Sequence, residues 1–489
     1  MRFLLWLGLL ALAGCASDAP TAFDRLKPCD PDDGPSDAYC GVYEVFENRE
    51  AAEGREIGLK IVLLPAFAND PAPDPVFFLA GGPGQAAGEL ADGISVLFSR
   101  IRRTRDVVLV DQRGTGEGNP LDCDLEEDDD SLEDLFDPGP AHEKLRACLD
   151  AYEADPTLYT TAVAMDDLDE IRDWLGYEEL NLYGGSYGTR AALVYLRRHP
   201  EAVRAVVLDG VAPTNIALPL SMSRDAQRAL DKLVADCAAD TACNERFPAF
   251  GEKLRALLER LERDKPVVQV RHPRTGEAAE VRIPPEALSL PLFGALYSPW
   301  LSSLAPLVVD EASSGNFEPL LALAMAREGI GEGFGHGMHY SIVCSEDAPL
   351  AEAADLDAET TDTFLGRAFL EIRQKPCEFW PRAAVPPEYY EPVSSDRPVL
   401  ILSGDLDPVT PPRWGEAVAE TLPNSRHIVV GGVGHGVLPN GCAMRLIEEF
   451  VETTDAAALD ASCLDGLRRP PFFVRPSGPE TVSGKAGEQ

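Results

Sequence analysis

Five residues limit the folds open to this chain more than any others. Gly184-Gly185-Ser186-Tyr187-Gly188 follows directly on the apolar run Leu180-Asn181-Leu182-Tyr183 and opens a stretch of helical spacing, 187–198. A strand that turns into a helix within so few residues forces the serine between them into a strained backbone conformation, which only small neighbours tolerate. The same turn presents the hydroxyl at a helix N-terminus. Alone the pentapeptide is a weak signal, because Gly and Ser are common. Its place between strand and helix gives it weight.

The rest of the chain repeats the theme. Short apolar runs at 57–64, 76–79, 107–110, 203–208, 399–402 and 427–430 are mostly bounded by Gly or Asp. Helical spacing lies between them, as at 165–175, where Leu168, Ile171, Trp174 and Leu175 share one side. Strands alternating with helices predict a doubly wound, mostly parallel α/β sheet. The strand pattern stops near Pro213 and resumes at Pro398, with helical stretches such as 224–239 and 250–263 between. That insertion reads as a largely helical cap. The expected division is a signal peptide (1–14), a tether (15–40), a first core segment (41–213), the cap (214–392), a second core segment (393–468) and a flexible tail (469–489).

The ends and the charge narrow the setting. Asp and Glu number 82 against 43 Lys and Arg, a net charge of −39 that repels phosphate backbones and excludes nucleic acid as a partner. Arg2 and the apolar run 3–13 read as a signal peptide, too short to span a bilayer as a mature helix. The run ends in Leu12-Ala13-Gly14-Cys15, which resembles the lipobox of bacterial lipoproteins. That resemblance implies cleavage before Cys15, its acylation, and a lipid anchor to a membrane. Ala16 in place of Asp implies sorting to the periplasmic side of the outer membrane in a Gram-negative host. Setting Cys15 aside, ten of the 11 cysteines remain, an even number that suits an oxidising compartment. Sequence order alone suggests local bridges: Cys29–Cys40, Cys123–Cys148, Cys237–Cys243, Cys344–Cys377 and Cys442–Cys463. No CxxC pair is present, so a zinc site is not expected.

A serine hydroxyl needs an adjacent base to act as a nucleophile. His435, in Gly434-His435-Gly436 just past the last apolar run, is the candidate. The other histidines fit poorly. His199 ends a helix, His142 and His272 lie in polar stretches, and His427 lies inside a strand. His336 and His339 form an H-x-x-H without a third ligand, so no metal is expected there. A carboxylate must hold the base in the right tautomer. Asp405 and Asp407 compete; Asp407 precedes Pro408-Val409-Thr410-Pro411 and is preferred. An oxyanion needs two preorganised donors. They are expected from the N–H of Tyr187 and from the loop Gly81-Gly82-Pro83-Gly84, where Pro83 cannot donate and Gly82 is chosen.

Ala80-Gly81-Gly82-Pro83-Gly84 resembles the H-G-G-P-G loop of proline iminopeptidases and tripeptidyl aminopeptidases, with Ala80 in place of the usual His. Asp111-Gln112-Arg113-Gly114-Thr115-Gly116 matches the D-Q-R-G-x-G segment of the same family. Gly185-Ser186-Tyr187-Gly188, the Asp407 loop and Gly434-His435-Gly436 follow in order. The resemblance runs from about residue 40 to about 465, and 384–463 is similar to the C-terminal region of the tripeptidyl aminopeptidase branch. It implies the α/β-hydrolase fold and a serine aminopeptidase that works on short peptides through an acyl-enzyme, with no cofactor. It also implies cap carboxylates that hold the substrate ammonium. Glu346 and Asp347, in Cys344-Ser345-Glu346-Asp347, are the candidates, a surface acid pair beside a disulfide being the other reading. A carboxylesterase on the same triad is the alternative activity, because this scaffold carries many chemistries.

Overall fold

The apolar runs pair into one nine-stranded sheet. The coordinates, a computed structural model, describe residues 21–123, 125, 132, 136, 139–326 and 334–479. The signal peptide, Cys15 with Ala16, and the last ten residues of the tail lie outside the described residues.

The core strands of the first segment are β1 (Lys27–Pro28), β2 (Tyr39–Phe46), β3 (Glu56–Leu64), β4 (Val76–Leu79), β5 (Val107–Val110), β6 (Leu180–Gly185) and β7 (Val203–Asp209). A hairpin in the cap supplies β8 (Val267–Arg271) and β9 (Ala278–Arg282), and the second core segment supplies β10 (Val399–Gly404) and β11 (Ser425–Val430). The order across the sheet is β1-β2-β3-β5-β4-β6-β7-β10-β11. From β5 to β11 the neighbours are parallel; β1, β2 and β3 add on antiparallel.

Burial on both faces explains the unbroken apolar runs. Every residue of β4, β5 and β10 is buried. One face packs Leu182, Val206 and Ile401 against the helices Thr161–Leu175 and Tyr187–Arg198. The other packs Leu109, Val207 and Leu402 against Ala91–Leu97 and Ala443–Thr453. The helix Thr161–Leu175 starts four residues before the expected 165. The Thr160 hydroxyl accepts from Val163 N (3.4 Å), and Gly176 ends the helix at φ 86°. Because β4 to β7, β10 and β11 run parallel, the loops leaving the C-terminal ends of β4, β6, β7, β10 and β11 gather at one edge.

The cap holds a core of its own, with Leu233, Phe247, Leu254, Leu261, Leu292 and Leu320 buried together. Its helices include Leu218–Ala239, Phe250–Asp264, Glu286–Leu296 and His336–Ile342. The hairpin β8–β9 was not foreseen: its alternation is confined to Val268-Gln269-Val270-Arg271 and Ala279-Glu280-Val281-Arg282, and each strand buries only one residue.

Two expected boundaries move. Residues 21–40 are not a tether: Leu26 and Ala38 are buried, β1 pairs with β2, and Cys29–Cys40 ties the segment down. The tail is not loose at its start either. Phe472 is buried in the cap's core, Arg469 Nε lies 2.8 Å from Asp236 Oδ2, and Phe473 N donates to Ser303 O at 3.1 Å. An apolar ring outweighed the Pro- and Gly-bearing composition around it. Phe472→Ala is expected to lower stability by about 3 kcal/mol, the cost typical of emptying a buried aromatic site. A urea midpoint unchanged from the parent chain would mean that the strap contributes nothing.

The ten described cysteines form five disulfides, Cys29–Cys40, Cys123–Cys148, Cys237–Cys243, Cys344–Cys377 and Cys442–Cys463. Among the described residues no helix is long and apolar enough to cross a membrane.

Candidate active site

Ser186 stands between β6 and the helix Tyr187–Arg198 with φ 55° and ψ −123°. For a residue with a Cβ this conformation costs on the order of 1–3 kcal/mol, so the surroundings must enforce it. They do so through the backbone. Ser186 N donates to Asp209 O at the end of β7 (2.9 Å), and Ser186 O accepts from Thr189 N (2.9 Å) and Thr189 Oγ1 (2.6 Å). The outer glycines of the pentapeptide are required by close approach. A Cβ on Gly184 would meet Gly188 O at 2.3 Å, and one on Gly188 would meet Leu79 O at 2.1 Å.

His435 and Asp407 meet on the loops after β11 and β10. His435 Nδ1 lies 2.8 Å from Asp407 Oδ2. Asp407 is fully buried; its Oδ1 accepts from Val409 N and Thr410 N, each at 2.8 Å, and its Oδ2 also accepts from Thr410 Oγ1 at 2.8 Å. Four acceptor contacts on one carboxylate leave no freedom in its orientation. Asp405 does something else: its Oδ1 accepts from Gly432 N (2.7 Å) and shapes the neighbouring loop.

The electrostatics follow from this pairing. Burial alone pushes the Asp407 carboxyl up, but the charge and hydrogen bond of His435, with the N–H groups of Thr410 and Val409, hold it below the usual range. Burial alone pushes His435 down. The Asp407 charge, its hydrogen bond and the more distant Asp209 outweigh that and hold the imidazole above its ordinary value. With Nδ1–H committed to Asp407, Nε2 is the nitrogen left for a proton from outside.

Ser186 and His435 flank the turn that follows β7. Ser186 is bonded to Asp209, and a Cβ on the next residue, Gly210, would lie 3.5 Å from His435 Cε1. Among the described residues no hydrogen bond joins the Ser186 hydroxyl to His435. In free enzymes this contact is often long and tightens only with substrate bound.

Tyr187 is the first residue of its helix, where a backbone N–H has no intrahelical acceptor. The loop after β4 passes directly over Ser186: a Cβ on Gly81 would lie 3.3 Å from Ser186 Cβ. Gly82 has φ 107°, a conformation open to glycine, and Ala80 behind it is buried in the core. Tyr187 directly follows the serine, and in the loop it is Gly81, the neighbour of Gly82, whose approach to Ser186 is seen.

The cap reaches two of these loops from above. Tyr297 O accepts from His435 N (3.0 Å), with the two rings edge to face at 5.2 Å. Arg228 Nη2 donates to Asp407 O (2.7 Å).

Glu346 and Asp347 depart from expectation. They are 1% and 0% exposed, so they are neither a surface pair nor an open site for an ammonium group. Asp347 Oδ1 accepts from Arg190 Nη2 at 2.9 Å. Glu346 accepts from Thr161 N (2.7 Å), Thr161 Oγ1 (2.8 Å) and the Tyr389 hydroxyl, with Arg190 Nη1 3.8 Å away. Arg190 offsets only one of the two charges, and it is burial that keeps a substrate ammonium group from reaching either carboxylate. The pair joins the cap to the helix Tyr187–Arg198 and caps the start of Thr161–Leu175.

Other residues take structural places. Arg113 grips Asp167 with two bonds (Nε–Oδ2 2.6 Å, Nη2–Oδ1 2.9 Å) and donates to Glu47 O and Leu158 O. His427 Nε2 lies 2.9 Å from Ser403 Oγ, and His336 Nδ1 3.2 Å from Asp122 Oδ1. Among the described residues no three His, Cys, Asp or Glu side chains gather in a way that would hold a metal ion.

Asp209 was missed. Its buried carboxylate accepts from Val437 N (2.7 Å), Leu438 N (2.8 Å) and Tyr183 OH (2.8 Å), and so fixes the loop just after His435. A signal was present: an acid closing the apolar run of β7, next to Gly210.

A mostly parallel sheet that brings a strained serine, a buried carboxylate and an imidazole to its strand ends, in that chain order, defines the α/β-hydrolase fold, and this chain is a hydrolase of that class. The α/β hydrolase fold family matches residues 74–298, and the TAP-like protein family matches residues 362–463. Serine protease Hip1 of Mycobacterium tuberculosis is 28% identical over 453 residues, 85% of each chain. The tripeptidyl aminopeptidase of Streptomyces coelicolor is 22% identical over 406 residues, 78% of this chain and 75% of that one. Among solved structures, a proline iminopeptidase of Mycobacterium smegmatis aligns with 86% of this chain and all of its own, at 16% identity and a TM-score of 0.40.

Proposed function

We propose that the chain is a serine peptidase that cleaves short peptides near a free amino terminus, releasing amino acids, dipeptides or tripeptides. Ser186 is the nucleophile, His435 the general base, Asp407 the orienting carboxylate, and the N–H groups of Tyr187 and Gly82 the oxyanion donors. The observation that carries this reading is the 2.8 Å His435–Asp407 contact beside the strained Ser186. The relatives named a serine protease and a tripeptidyl aminopeptidase support peptide substrates.

Ser186 Oγ attacks the scissile carbonyl carbon while His435 Nε2 takes the hydroxyl proton. The two N–H donors stabilise the oxyanion of the tetrahedral intermediate. His435 then passes that proton to the leaving amine as the C–N bond breaks. Water repeats the sequence on the acyl-enzyme and frees Ser186.

Tripeptidyl, dipeptidyl and aminoacyl p-nitroanilides, each free and N-acetylated, test the substrate class. A free amino terminus is expected to raise kcat/KM at least tenfold for one length; equal rates for free and acetylated forms would overturn the aminopeptidase reading. One observation favours the carboxylesterase alternative, namely the burial of Glu346 and Asp347, which closes both carboxylates to a substrate ammonium group. Under that alternative p-nitrophenyl butyrate is hydrolysed and no anilide is.

The pH profile tests the base. Only neutral His435 accepts the serine proton, and its folded value is raised, so activity is lost as pH falls through that value. The acid limb of kcat/KM is expected to have its midpoint above 6.5, the ordinary value for histidine. A midpoint below 6.5 would mean that Asp407 does not act on the base as the geometry implies.

The chain is further proposed to be exported and held through an acylated Cys15 at the periplasmic side of an outer membrane. The Leu12-Ala13-Gly14-Cys15 sequence and the five disulfides support this. Labelled palmitate should enter the parent chain and not Cys15→Ser.

A further inference from the structure

We propose that His339, a residue of the cap, is a positioning residue for the oxyanion hole, holding the loop Gly81-Gly82-Pro83-Gly84 through the carbonyl of Pro83. The proposal rests on the reading of Ser186 as nucleophile and Gly82 as a donor.

The loop has little with which to hold itself. Three of its four residues are glycines, and Pro83 has no N–H. Fixing such a backbone costs about 1–2 kcal/mol per residue in conformational entropy. Yet an oxyanion donor is effective only when its N–H already points at the place where charge will develop. Some other part of the molecule must supply the order.

The segment 334–339 of the cap does so. Gly335 N donates to Gly84 O at 2.8 Å, and Phe334 forms an antiparallel bridge with Gln85. The Phe334 ring lies 3.2 Å from where a Cβ would stand on either Gly82 or Gly84, so it fills the space those glycines leave. His339 Nδ1 lies 2.9 Å from Pro83 O. A carbonyl oxygen only accepts, so Nδ1 carries the hydrogen. Phe334 and Tyr340 brace the imidazole, with ring centroids at 5.3 and 5.1 Å. Burial pushes the group down to about 4, with smaller pushes from Arg373 and His336 and an opposing one from the Pro83 bond. The ring is thus a neutral donor across the working range.

The hydrogen bond acts where it matters. The proline ring fixes φ of residue 83, so holding its carbonyl sets ψ as well. The freedom left to the loop lies in Gly81 and Gly82, and the Phe334 ring and Ser186 close on those residues from two sides. The oxyanion loop therefore takes its geometry from the cap, across more than 250 residues of sequence.

Two variants separate positioning from packing. Asn places an N–H donor near the position of the imidazole Nδ1; Leu fills similar space with no donor. His339→Leu is expected to lower kcat for p-nitrophenyl acetate about 10- to 100-fold, short of the about 10²- to 10³-fold loss on deleting an oxyanion donor outright. Binding of phenylboronic acid, whose tetrahedral serine adduct uses the oxyanion donors, should weaken by the same factor. KM should not move, the thermal midpoint should fall only by the small amount due to the unpaired Pro83 carbonyl, and His339→Asn should restore most of the loss. Wild-type kcat in His339→Leu, equal loss in both variants, or a fall in thermal midpoint that accounts for the loss would each overturn the proposal. The underlying reading fails separately: there, Ser186→Ala would keep its labelling by a fluorophosphonate.

Discussion

Ser186→Ala is expected to abolish covalent labelling by a fluorophosphonate and to lower kcat by about 10⁶-fold, because nucleophile, base and acid act as a unit and nothing replaces the missing oxygen. The loss is in chemistry alone. The Ser186 hydroxyl makes no hydrogen bond among the described residues, while the backbone contacts that enforce φ 55° come from Asp209 and Thr189 and survive the change. The variant should therefore stay within about 0.5 kcal/mol of the parent chain in stability, as for a substitution that removes no packed or bonded group. Any residual turnover is expected to come from the proposed oxyanion donors and substrate binding, which the change does not touch. Labelling rate, turnover and urea midpoint measured on one preparation give the full pattern. A variant that still takes up the probe would place the nucleophile elsewhere.

What could be read from the chain beforehand, and what could not, divides by the range of the forces involved. β5 was legible because a strand buried on both faces must be apolar throughout, and Val107 to Val110 all are. β2 was not, since most of its side chains are only partly covered and Val45 alone is fully buried. The pentapeptide around Ser186 was legible because a tight turn leaves its demand for small residues in five adjacent positions. Asp209 leaves only one local mark, an acid closing the apolar run of β7, because its partners Val437 and Leu438 lie more than 200 residues onward. Arg228 and His339 are hidden in the same way, each bonded to a backbone carbonyl that has no residue identity to read. Glu346 and Asp347 misled because acids usually lie in water, and the guanidinium that allows their burial sits on another element.

Asp407→Asn is expected to lower kcat by about 10⁴-fold while leaving the serine in place, through the tautomer of His435. The direction follows from the hydrogen bonds. Oδ1 of Asp407 accepts from two backbone N–H groups, Val409 and Thr410, so the carbonyl oxygen of an asparagine must take that side. Its NH₂ group is then forced toward His435 Nδ1, where the carboxylate now accepts at 2.8 Å. A donor facing Nδ1 drives the ring hydrogen to Nε2, the nitrogen that should receive the serine proton. The imidazole also loses the charge that raises it, so the acid limb of kcat/KM should move down in pH relative to the parent chain. Arg228 holds Asp407 by its backbone carbonyl and is untouched by the change, so the loop should keep its place. Asp405→Asn supplies the contrast, because that carboxylate bonds Gly432 N and not the base; it should keep activity within about threefold, the effect of a change of under 1 kcal/mol. Slow fluorophosphonate labelling of Asp407→Asn, set against near-normal labelling of Asp405→Asn, is the expected outcome. The reverse pattern would move the orienting role to Asp405 and undo the assignment drawn from the loop after β10.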